Sequence, residues 1–534
     1  MAVALQHIMG NYMKHTYTTL HTSFLLSALM LSTPSSATNE KHDQKTQNPY
    51  ISSGEVTANS AVIWGRCNNE INSYLKVYIA EQNTSASHTK NLGPLVSQAT
   101  KETDYTASIQ VYGLQPHTNY SYWAVCQNSA FHDFQNLTFS KGEFRTAPSA
   151  DQETDIRFLW GADLAGQGYG INNDLEITNI DGETIKGGYV IFDAMKKTNP
   201  DFAIFQGDNI YADNPIPATV KLPDEMGGGL WTNHITKDFI AITLDQFREN
   251  WRYNLQDQHY REFLKTTSSY YQWDDHEVSN NWYPGEILTA EPYNGIAANV
   301  LAERAKQALF EYTPTTGRRI FKKFQHGKHA EIFLLDERSF RGANTDNKTP
   351  GGSDILGAEQ LDWFKRGLKN STATWKIIST DDPLGIVVND GDGFDGFAND
   401  LEDVAGREVQ LAEILKFIKD ENIKNVVWLT SDVHFSAAIS YDPKRAKFKD
   451  FSPFYEFVIG PLHAGVFGPG VLDPSFGAEY EYVRGPLNQG LPEYAPPPFE
   501  QAFGIIDVSK EGELTVKLTD ITGEILFEKQ LEAE

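Results

Sequence analysis

The chain has 534 residues, of which 40% are hydrophobic and 12% aromatic, and its formal net charge is -26. This length suggests about two to four domains, and the apolar content is sufficient for sizeable cores, which excludes a disordered protein. The negative charge argues against a nucleic-acid-binding surface, because such a surface must neutralise phosphates. The acidity itself has two explanations: carboxylates can keep a protein soluble, or they can gather around cations.

Residues 1–37 have the pattern of a secretory signal peptide. Met13 begins a short charged stretch before the apolar run 24–31, and small residues ending at Ala37 follow. This order predicts export to the periplasm or the medium, with Met13 as the true start and 38–48 as a polar leader. The apolar run is too short to span a bilayer and no later run reaches about 20 residues, so we expect no membrane span.

Cys67 and Cys126 are the two cysteines of the chain. Export would permit a disulfide between them. Strand parity argues against it, because Trp64 and Cys67 point to opposite faces of one strand and both cannot easily face a single core. The sequence leaves the pairing open.

Residues 49–150 contain short alternating runs of apolar and polar residues separated by turn residues. Two such runs begin at Ser60 and Leu75. This spacing indicates a small all-β sandwich. The stretch from Leu114 to Tyr122 resembles the tyrosine-corner strand of fibronectin type III domains, so we expect a fibronectin-like sandwich without chemistry of its own.

Residues 151–534 alternate apolar runs with helical segments, which predicts an α/β domain. Long inserts between the runs favour a sandwich of sheets over a simple doubly wound sheet. We expect helices near 189–197, 357–370 and 407–421. The predicted buried strands include 156–160, 202–205, 270–273, 332–335, 375–378 and 426–429.

Several of these strands end in a carboxylate followed by a loop, which is the strongest chemical signal in the sequence. The carboxyl ends of strands in α/β sheets meet at the crevice that binds ligands, so we expect these acids to converge. In the absence of cations, the negative charges of these acids would repel one another strongly, which favours a metal cluster. The alternative interpretation is that the acids are ordinary strand stops or helix caps whose positions coincide by chance. Hard oxygen and imidazole ligands suit iron, zinc, manganese or calcium. The candidates are Asp163, Asp208, Asp274, Asp275 and Asp432, accompanied by Tyr211, His276 and His434.

Four blocks, in this order, resemble the alkaline phosphatase D family of metallophosphoesterases. The resemblance covers about residues 50–530, because that family also begins with a fibronectin-like domain. It implies a calcineurin-like phosphoesterase fold, a mixed β-sandwich flanked by helices, that carries iron and calcium. The blocks are Gly207-Asp208-Asn209-Ile210-Tyr211, Asp274-Asp275-His276-Glu277-Val278, Leu335-Asp336-Glu337-Arg338-Ser339-Phe340-Arg341 and Ser431-Asp432-Val433-His434.

The resemblance also implies roles for individual residues. Asp208 would bridge two cations, and Tyr211 and His434 would bind iron. Asp163 stands where better-known members have a cysteine block, and a hard oxygen in place of a thiolate makes iron less certain. The remaining candidate metal ligands are Asp275, Asn281 and Asp432.

The predicted reaction is attack on phosphorus by hydroxide that the cations generate. No Gly-x-Ser-x-Gly motif is present, which argues against a covalent serine hydrolase. His276 would protonate the leaving alkoxide. Arg338, or less favourably Arg341, would stabilise charge on phosphorus, and the alternative for both is a structural ion pair with Asp336.

Four further residues have less certain roles. His463 follows a strand and either borders the pocket or, as we favour, is structural. Trp231, Trp251 and Trp282 either line a substrate groove or pack an inserted helical subdomain, and packing is the favoured interpretation.

The sequence therefore predicts an exported metal-dependent phosphoesterase that acts on small-molecule phosphate esters. One alternative is a phosphodiesterase or phospholipase D-like activity at the same site. A second is an inactive cell-surface binding protein that holds calcium, although the intact Asp-Asp-His-Glu and Asp-x-His blocks argue against it.

Overall fold

The computed structural model describes residues 49–534 except 69–71, 83–90, 129–137, 350–353 and 400–402. The predicted signal peptide and leader lie outside the described residues. All described residues belong to one structural unit, Thr46–Glu534. Among them, no helix is both long enough and apolar enough to cross a membrane.

The alternating runs of the N-terminal region form strands, because every second side chain can be buried while turn residues separate the runs. The all-β character predicted for residues 49–150 is confirmed. The strands are β1 (Tyr50–Gly54), β2 (Ser60–Arg66), β3 (Ser73–Glu81), β4 (Asn91–Ala99), β5 (Thr106–Tyr112), β6 (Asn119–Gln127) and β7 (Ser140–Arg145).

The rest of the chain adds twenty-one strands, several of them short ribbons within the inserts. They are β8 (Ile156–Gly161), β9 (Glu176–Thr178), β10 (Thr184–Lys186), β11 (Phe202–Phe205), β12 (Thr219–Lys221), β13 (Leu230–Thr232), β14 (Ser268–Tyr271), β15 (Ile287–Leu288), β16 (Ile296–Ala297), β17 (Lys322–His326), β18 (Ala330–Leu334), β19 (Trp375–Ser379), β20 (Asn389–Asp390), β21 (Gly393–Phe394), β22 (Val426–Thr430), β23 (Ser436–Tyr441), β24 (Phe454–Val458), β25 (Ala478–Arg484), β26 (Ala502–Val508), β27 (Leu514–Asp520) and β28 (Ile525–Leu531).

Helices alternate with these strands, and those predicted near 189–197, 357–370 and 407–421 form as α1, α5 and α6. Local sequence explains where some begin: Thr243 and Gln246 form a reciprocal capping box at the start of α2. The helices are α1 (Ile191–Lys197), α2 (Leu244–Asn254), α3 (Gln258–Thr266), α4 (Ala298–Tyr312), α5 (Gly357–Asn370) and α6 (Glu408–Asp420).

Two large mixed sheets organise the fold. The nine-stranded sheet has the order β28-β27-β26-β8-β11-β14-β1-β2-β5, and the seven-stranded sheet has the order β17-β18-β19-β22-β24-β23-β25. Neighbours β8, β11 and β14 run parallel in the first sheet. Neighbours β18, β19, β22 and β24 run parallel in the second. Each sheet therefore has an edge at which several carboxyl ends meet.

The sheets pack face to face, and helices cover their outer faces. Phe158 and Ile204 of the first sheet share a buried core with Ile377 and Leu429 of the second. Residues of α1 to α4 cover the other face of the nine-stranded sheet. Residues of α5 and α6 cover the other face of the seven-stranded sheet. The predicted sandwich flanked by helices is the architecture observed.

The nine-stranded sheet is continuous across the domain boundary predicted at residue 150. Strand β1 pairs in parallel with β14, with Gly54 opposite Ser269. A separate four-stranded sheet, β4-β3-β6-β7, completes the N-terminal region. Residue 150 therefore separates two regions of the sequence, but backbone hydrogen bonds between β1 and β14 join these two regions in one sheet.

Cys67 and Cys126 form a disulfide, with a Cα–Cα distance of 5.8 Å. The parity argument against this bond was wrong, because strand β2 is covered on both faces. Trp64 packs near Tyr312 of α4 on one face, with ring centroids 6.2 Å apart. Ile63 and Cys67 enter the sandwich core on the other face.

Removing this bond should destabilise the N-terminal region. The bond closes a loop across a sequence separation of 59 residues, and we expect the Cys67→Ala/Cys126→Ala double variant to lose about 2–4 kcal/mol of unfolding free energy. Thermal unfolding with and without a reductant measures the effect, and the double variant serves as the control because a reductant should not change its Tm. Two titratable thiols in the unfolded, unreduced protein would show that the bond does not form.

Candidate metal centre

The loops after the parallel strands of both sheets bring the predicted acids together. Asp163 follows β8, Asp208 follows β11, Asp275 follows β14 and Asp432 follows β22. The first three are almost completely buried, and Asp432 is partly buried. These acids lie close together because the parallel strands that precede them end at the same edge of the sheets.

The first group of candidate ligands combines oxygen and nitrogen atoms. Asp163, Asp208 and His434 each offer a ligand atom, and these atoms lie within 4.8 Å of one another. Tyr211 Oη lies 2.8 Å from His434 Nε2 and 3.4 Å from Asp163 Oδ1. His434 Nδ1 donates to the Gly465 carbonyl oxygen, which leaves Nε2 directed at the group.

Two further groups continue from the first. One consists of Asp208, Asp275 and His276, and the other of Asp274, Asp275 and Asp432. Asp208 belongs to the first two groups and Asp275 to the last two, so the three groups form a continuous row. Asp208 thus lies where a bridging ligand is expected.

Electrostatics sets this row apart from an ordinary acidic surface. Burial raises the pKa of Asp208 well above its usual range, His276 opposes that shift, and Asp275, Asp274 and Asp163 add to it. Buried like charges disfavour the ionised form in this way when no counter-ion is present. Cations in the row would reverse the shift, since they stabilise the carboxylates.

Orphaned oxygen atoms indicate that the row fits cations. No described residue donates a hydrogen bond to the buried atoms Asp163 Oδ2 and Asp275 Oδ1. Buried polar atoms normally have partners, and an unpaired buried carboxylate is costly unless it binds a metal. The donor set of carboxylates, imidazole and phenol suits hard or borderline cations.

Five of the predicted ligands have backbone conformations that L-residues rarely adopt. Such left-handed residues cost free energy and cluster at functional sites, although Asn and Asp tolerate them better than most. The φ angles are 58° at Asp163, 49° at Asp208, 56° at Asn281, 66° at Asp432 and 55° at His434. The turns after the strands therefore hold these side chains in fixed directions.

His276 lies in the middle of the row and has a partner that the sequence analysis missed. Its Nδ1 is 2.7 Å from Asp213 Oδ1, and its Nε2 is 4.0 Å from Asp208 Oδ2. Burial lowers the pKa of His276, but Asp213, Asp275 and Asp208 together raise it well above its usual value. Asp213 lies two residues after Tyr211 and not at a strand end, so the strand-end pattern could not identify it.

Asn281 lies beside the third group, and its role as a ligand stays a prediction. Its backbone N–H donates to Asp275 Oδ2, whereas its side-chain amide donates to Asp390 Oδ1 at 3.3 Å. Glu277 of the same block fixes the turns: it accepts from the backbone N–H groups of Asp208 at 3.0 Å and Asp274 at 2.8 Å.

Arg338 pairs with buried carboxylates, and its contact with substrate phosphate stays a prediction. Its side chain is completely buried and donates to Asp274, to Asp382 at 3.2 Å and to Asp395 at 3.1 Å. Arg341 contacts the same Asp382 and Asp395 at 2.8 and 3.1 Å. These contacts favour the structural alternative, with Asp274, Asp382 and Asp395 as partners in place of Asp336.

The other uncertain residues have packing roles. His463 is buried, its Nε2 lies 3.0 Å from the Gly170 carbonyl oxygen, and burial lowers its pKa to about 4. Trp231, Trp251 and Trp282 are at most 5% exposed and belong to the core beneath α1 to α4.

The fold and the site together define an α/β protein with a candidate metal centre at the joint edge of two sheets. The family model described as PhoD-like phosphatase matches residues 159–514, and the model of its N-terminal domain matches residues 33–148. The chain belongs to the PhoD-like phosphatase family.

Individual relatives are more distant. Alkaline phosphatase D of Bacillus subtilis (strain 168) is 27% identical over 278 residues, which cover 47% of this chain and 44% of that protein. The solved structure of PhoD covers 91% of this chain and 89% of its own, with 19% identity and a TM-score of 0.65. Purple acid phosphatase PPD1 from yellow lupin (Lupinus luteus) seeds covers 90% and 74%, with 11% identity and a TM-score of 0.51. These structural likenesses concern the fold.

Replacing Arg338 should unfold the site rather than slow a correctly folded enzyme. Arg338→Met removes a positive charge that neutralises the buried carboxylates of Asp274, Asp382 and Asp395. We therefore expect a loss of about 3–5 kcal/mol of unfolding free energy. Chemical denaturation measures it. Arg319→Met is the matched control, because Arg319 pairs with Glu359 on the surface, where both side chains are at least 60% exposed.

The opposite result would restore the phosphate-binding role. That result is an Arg338→Met variant with wild-type stability and metal content and a turnover lowered by about 100-fold, the scale of one lost oxyanion contact.

Proposed function

We propose that the protein is a metal-dependent hydrolase of phosphoric esters with small-molecule substrates. The observation that carries this proposal is the row of three ligand groups that share Asp208 and Asp275. Membership of the PhoD-like phosphatase family supports it. The phosphodiesterase and phospholipase D-like alternatives use the same site and differ in substrate alone.

We assign the fold to the calcineurin-like phosphoesterase class, preceded by a fibronectin-like sandwich. The two helix-covered sheets with a ligand row at their edge support the first assignment. A tyrosine corner supports the second: Tyr120 lies at the start of β6, and its hydroxyl oxygen accepts from the Gln115 N–H at 2.9 Å.

Iron and calcium remain the proposed cations. Asp163, Asp208, Tyr211 and His434 would hold the first, and a phenolate with an imidazole suits iron. Asp274, Asp275 and Asp432 offer carboxylate oxygens alone, which suits calcium. When bound, such cations supply Lewis-acid chemistry by polarising phosphoryl oxygens and lowering the pKa of water.

The chain itself supplies proton transfer. His276 is the proposed general acid, because its Nε2 faces the row while Asp213 holds Nδ1. The Asp213 contact fixes the orientation of the ring, and Tyr211 stacks on it with centroids 4.2 Å apart. His276 can therefore give a proton to the oxygen of the leaving alcohol without reorienting.

We further propose that the protein is exported, periplasmic or secreted. The predicted signal peptide motivates this location. The disulfide Cys67–Cys126 supports it, because structural disulfides persist mainly in oxidising compartments.

An Asp208→Asn variant tests metal dependence directly. Asparagine tolerates the φ of 49° at this position, so the backbone is preserved while the charge is lost. We expect less bound metal by elemental analysis, a lower Tm, and a rate of hydrolysis reduced by at least about 100-fold. The loss of a metal ligand should lower the rate more than the loss of a residue that only hydrogen-bonds a ligand. The substrates are 4-nitrophenyl phosphate and bis(4-nitrophenyl) phosphate, whose relative rates separate the monoesterase from the phosphodiesterase.

Asp174→Asn is the control, because that side chain is 81% exposed. A full metal complement and unchanged turnover in Asp208→Asn would refute the proposal. If the wild-type protein binds metal but hydrolyses neither ester, the result would instead favour the alternative of an inactive binding protein that holds calcium.

Asp213→Ala separates proton transfer from metal binding. We expect unchanged metal content, little change in KM, and a kcat lowered by about 10- to 100-fold, because His276 loses the partner that orients it. Asp224→Ala in the same insert is the control, since Asp224 is 78% exposed. A normal kcat, or loss of the metals together with kcat, would contradict the assignment of Asp213.

A further inference from the structure

Two aromatic side chains extend from the metal centre to the surface. The Phe467 ring stacks on the His434 ring, with centroids 4.1 Å apart and an interplanar angle of 25°. The Tyr494 ring lies 5.8 Å from the Phe467 ring. His434, Phe467 and Tyr494 therefore form a series of ring contacts, which we call the aromatic series, that begins at a candidate metal ligand.

The segment that carries Phe467 is attached to His434 at two points. The Gly465 carbonyl oxygen accepts from His434 Nδ1, and the Phe467 N–H donates to the His434 carbonyl oxygen at 3.3 Å. Because both ends of this short segment are hydrogen-bonded to one residue, the Phe467 ring is held at a constant position relative to His434.

Tyr494 is held as firmly through its backbone. Its N–H donates to the Val466 carbonyl oxygen at 2.6 Å, and its carbonyl oxygen accepts from the Tyr169 hydroxyl at 2.9 Å. Tyr169 is itself buried beside Trp231, at a centroid distance of 5.5 Å. The backbone of Tyr494 is thus anchored to the segment of Phe467 and to the loop after β8.

The side chain of Tyr494 is nevertheless exposed, and its backbone is strained. It is 53% exposed, although most aromatic side chains near the centre are buried. Its φ is 60°, a left-handed value that a bulky residue rarely adopts. The surrounding hydrogen bonds hold Tyr494 in this strained conformation, and its ring is exposed to solvent as a result. Backbone strain of this kind often occurs at binding sites, which points to a binding role for the ring.

We propose that Phe467 and Tyr494 form the surface on which the leaving group of the substrate rests, and that this surface favours a flat aromatic group. This proposal rests on the proposed phosphoesterase function and specifies its substrate class. The aromatic series leads from the candidate ligand His434 towards solvent, so we place the ester substituent of a phosphoryl group bound beside His434 on this series. Aromatic rings prefer offset-stacked or edge-to-face contact with other rings, so an aryl substituent gains more from this surface than a saturated one.

Tyr494 is the residue to change, because Phe467 contacts a candidate ligand. Tyr494→Asn removes the ring and tolerates the left-handed φ, so the variant should keep its fold. The substrates are phenyl phosphate and cyclohexyl phosphate, with their methyl diesters. The two groups are similar in size and differ in flatness, and each variant is compared with the wild type on the same ester because phenol is also the more acidic leaving group. We expect kcat/KM for the phenyl esters to fall by about 3- to 10-fold, and kcat/KM for the cyclohexyl esters by less than about 2-fold.

Two further variants make the test specific. Tyr494→Phe keeps the ring and should restore the wild-type preference for phenyl esters. Tyr112→Asn removes a distant tyrosine that is 65% exposed and should leave every rate unchanged. Competitive inhibition by phenylphosphonate and cyclohexylphosphonate reports binding without turnover and should show the same selective loss in Tyr494→Asn.

The outcomes separate the two proposals. Equal losses on phenyl and cyclohexyl esters, or none on either, with an active wild type, would overturn the aromatic surface and leave the phosphoesterase intact. A wild type with no hydrolysis of any of these esters would refute the proposed function, and the aromatic surface with it.

Discussion

The crowding of buried carboxylates where two β-sheets share an edge is the constraint on which the rest of the structure depends. Asp208 and Asp275 each belong to two ligand groups within this edge. Burial removes the water that would screen their charges, so the repulsion between them is strong. Such an edge is stable when positive charge compensates for it. His276 provides part of that charge from within the row, and the proposed cations would provide the rest.

Two kinds of compensation meet at Asp274. On one side, Arg338 donates to Asp274, and with Arg341 it neutralises Asp382 and Asp395 in a completely buried network. On the other side, Asp274 belongs to a candidate ligand group. The arginines therefore hold one border of the ligand row in place, because moving Asp274 would leave buried charges unpaired.

Coverage of both sheet faces determines what surrounds the row. The nine-stranded sheet carries the sandwich core on one side and α1 to α4 on the other, and the N-terminal strands β1, β2 and β5 are part of this sheet. Trp64 of β2 even donates from its indole nitrogen to the Glu311 carbonyl oxygen of α4 at 2.7 Å. Phe467 and Tyr494 lie in loops at the carboxyl edge, and loops that a scaffold of packed layers positions commonly carry the residues that bind substrate.

The sequence by itself predicted three of the six α-helices, many of the buried strands and the acids that follow them, because alternation and turn residues act over a few positions. Asp163, Asp208 and His434 could be predicted to converge, since parallel strands place their carboxyl ends together. Only the tertiary structure decided the partners of Arg338 and the pairing of Cys67. Those contacts join residues 44 to 64 positions apart for Arg338 and 59 apart for the disulfide. Local periodicity carries no information on such distances, and it could not show that strand β2 is buried on both faces.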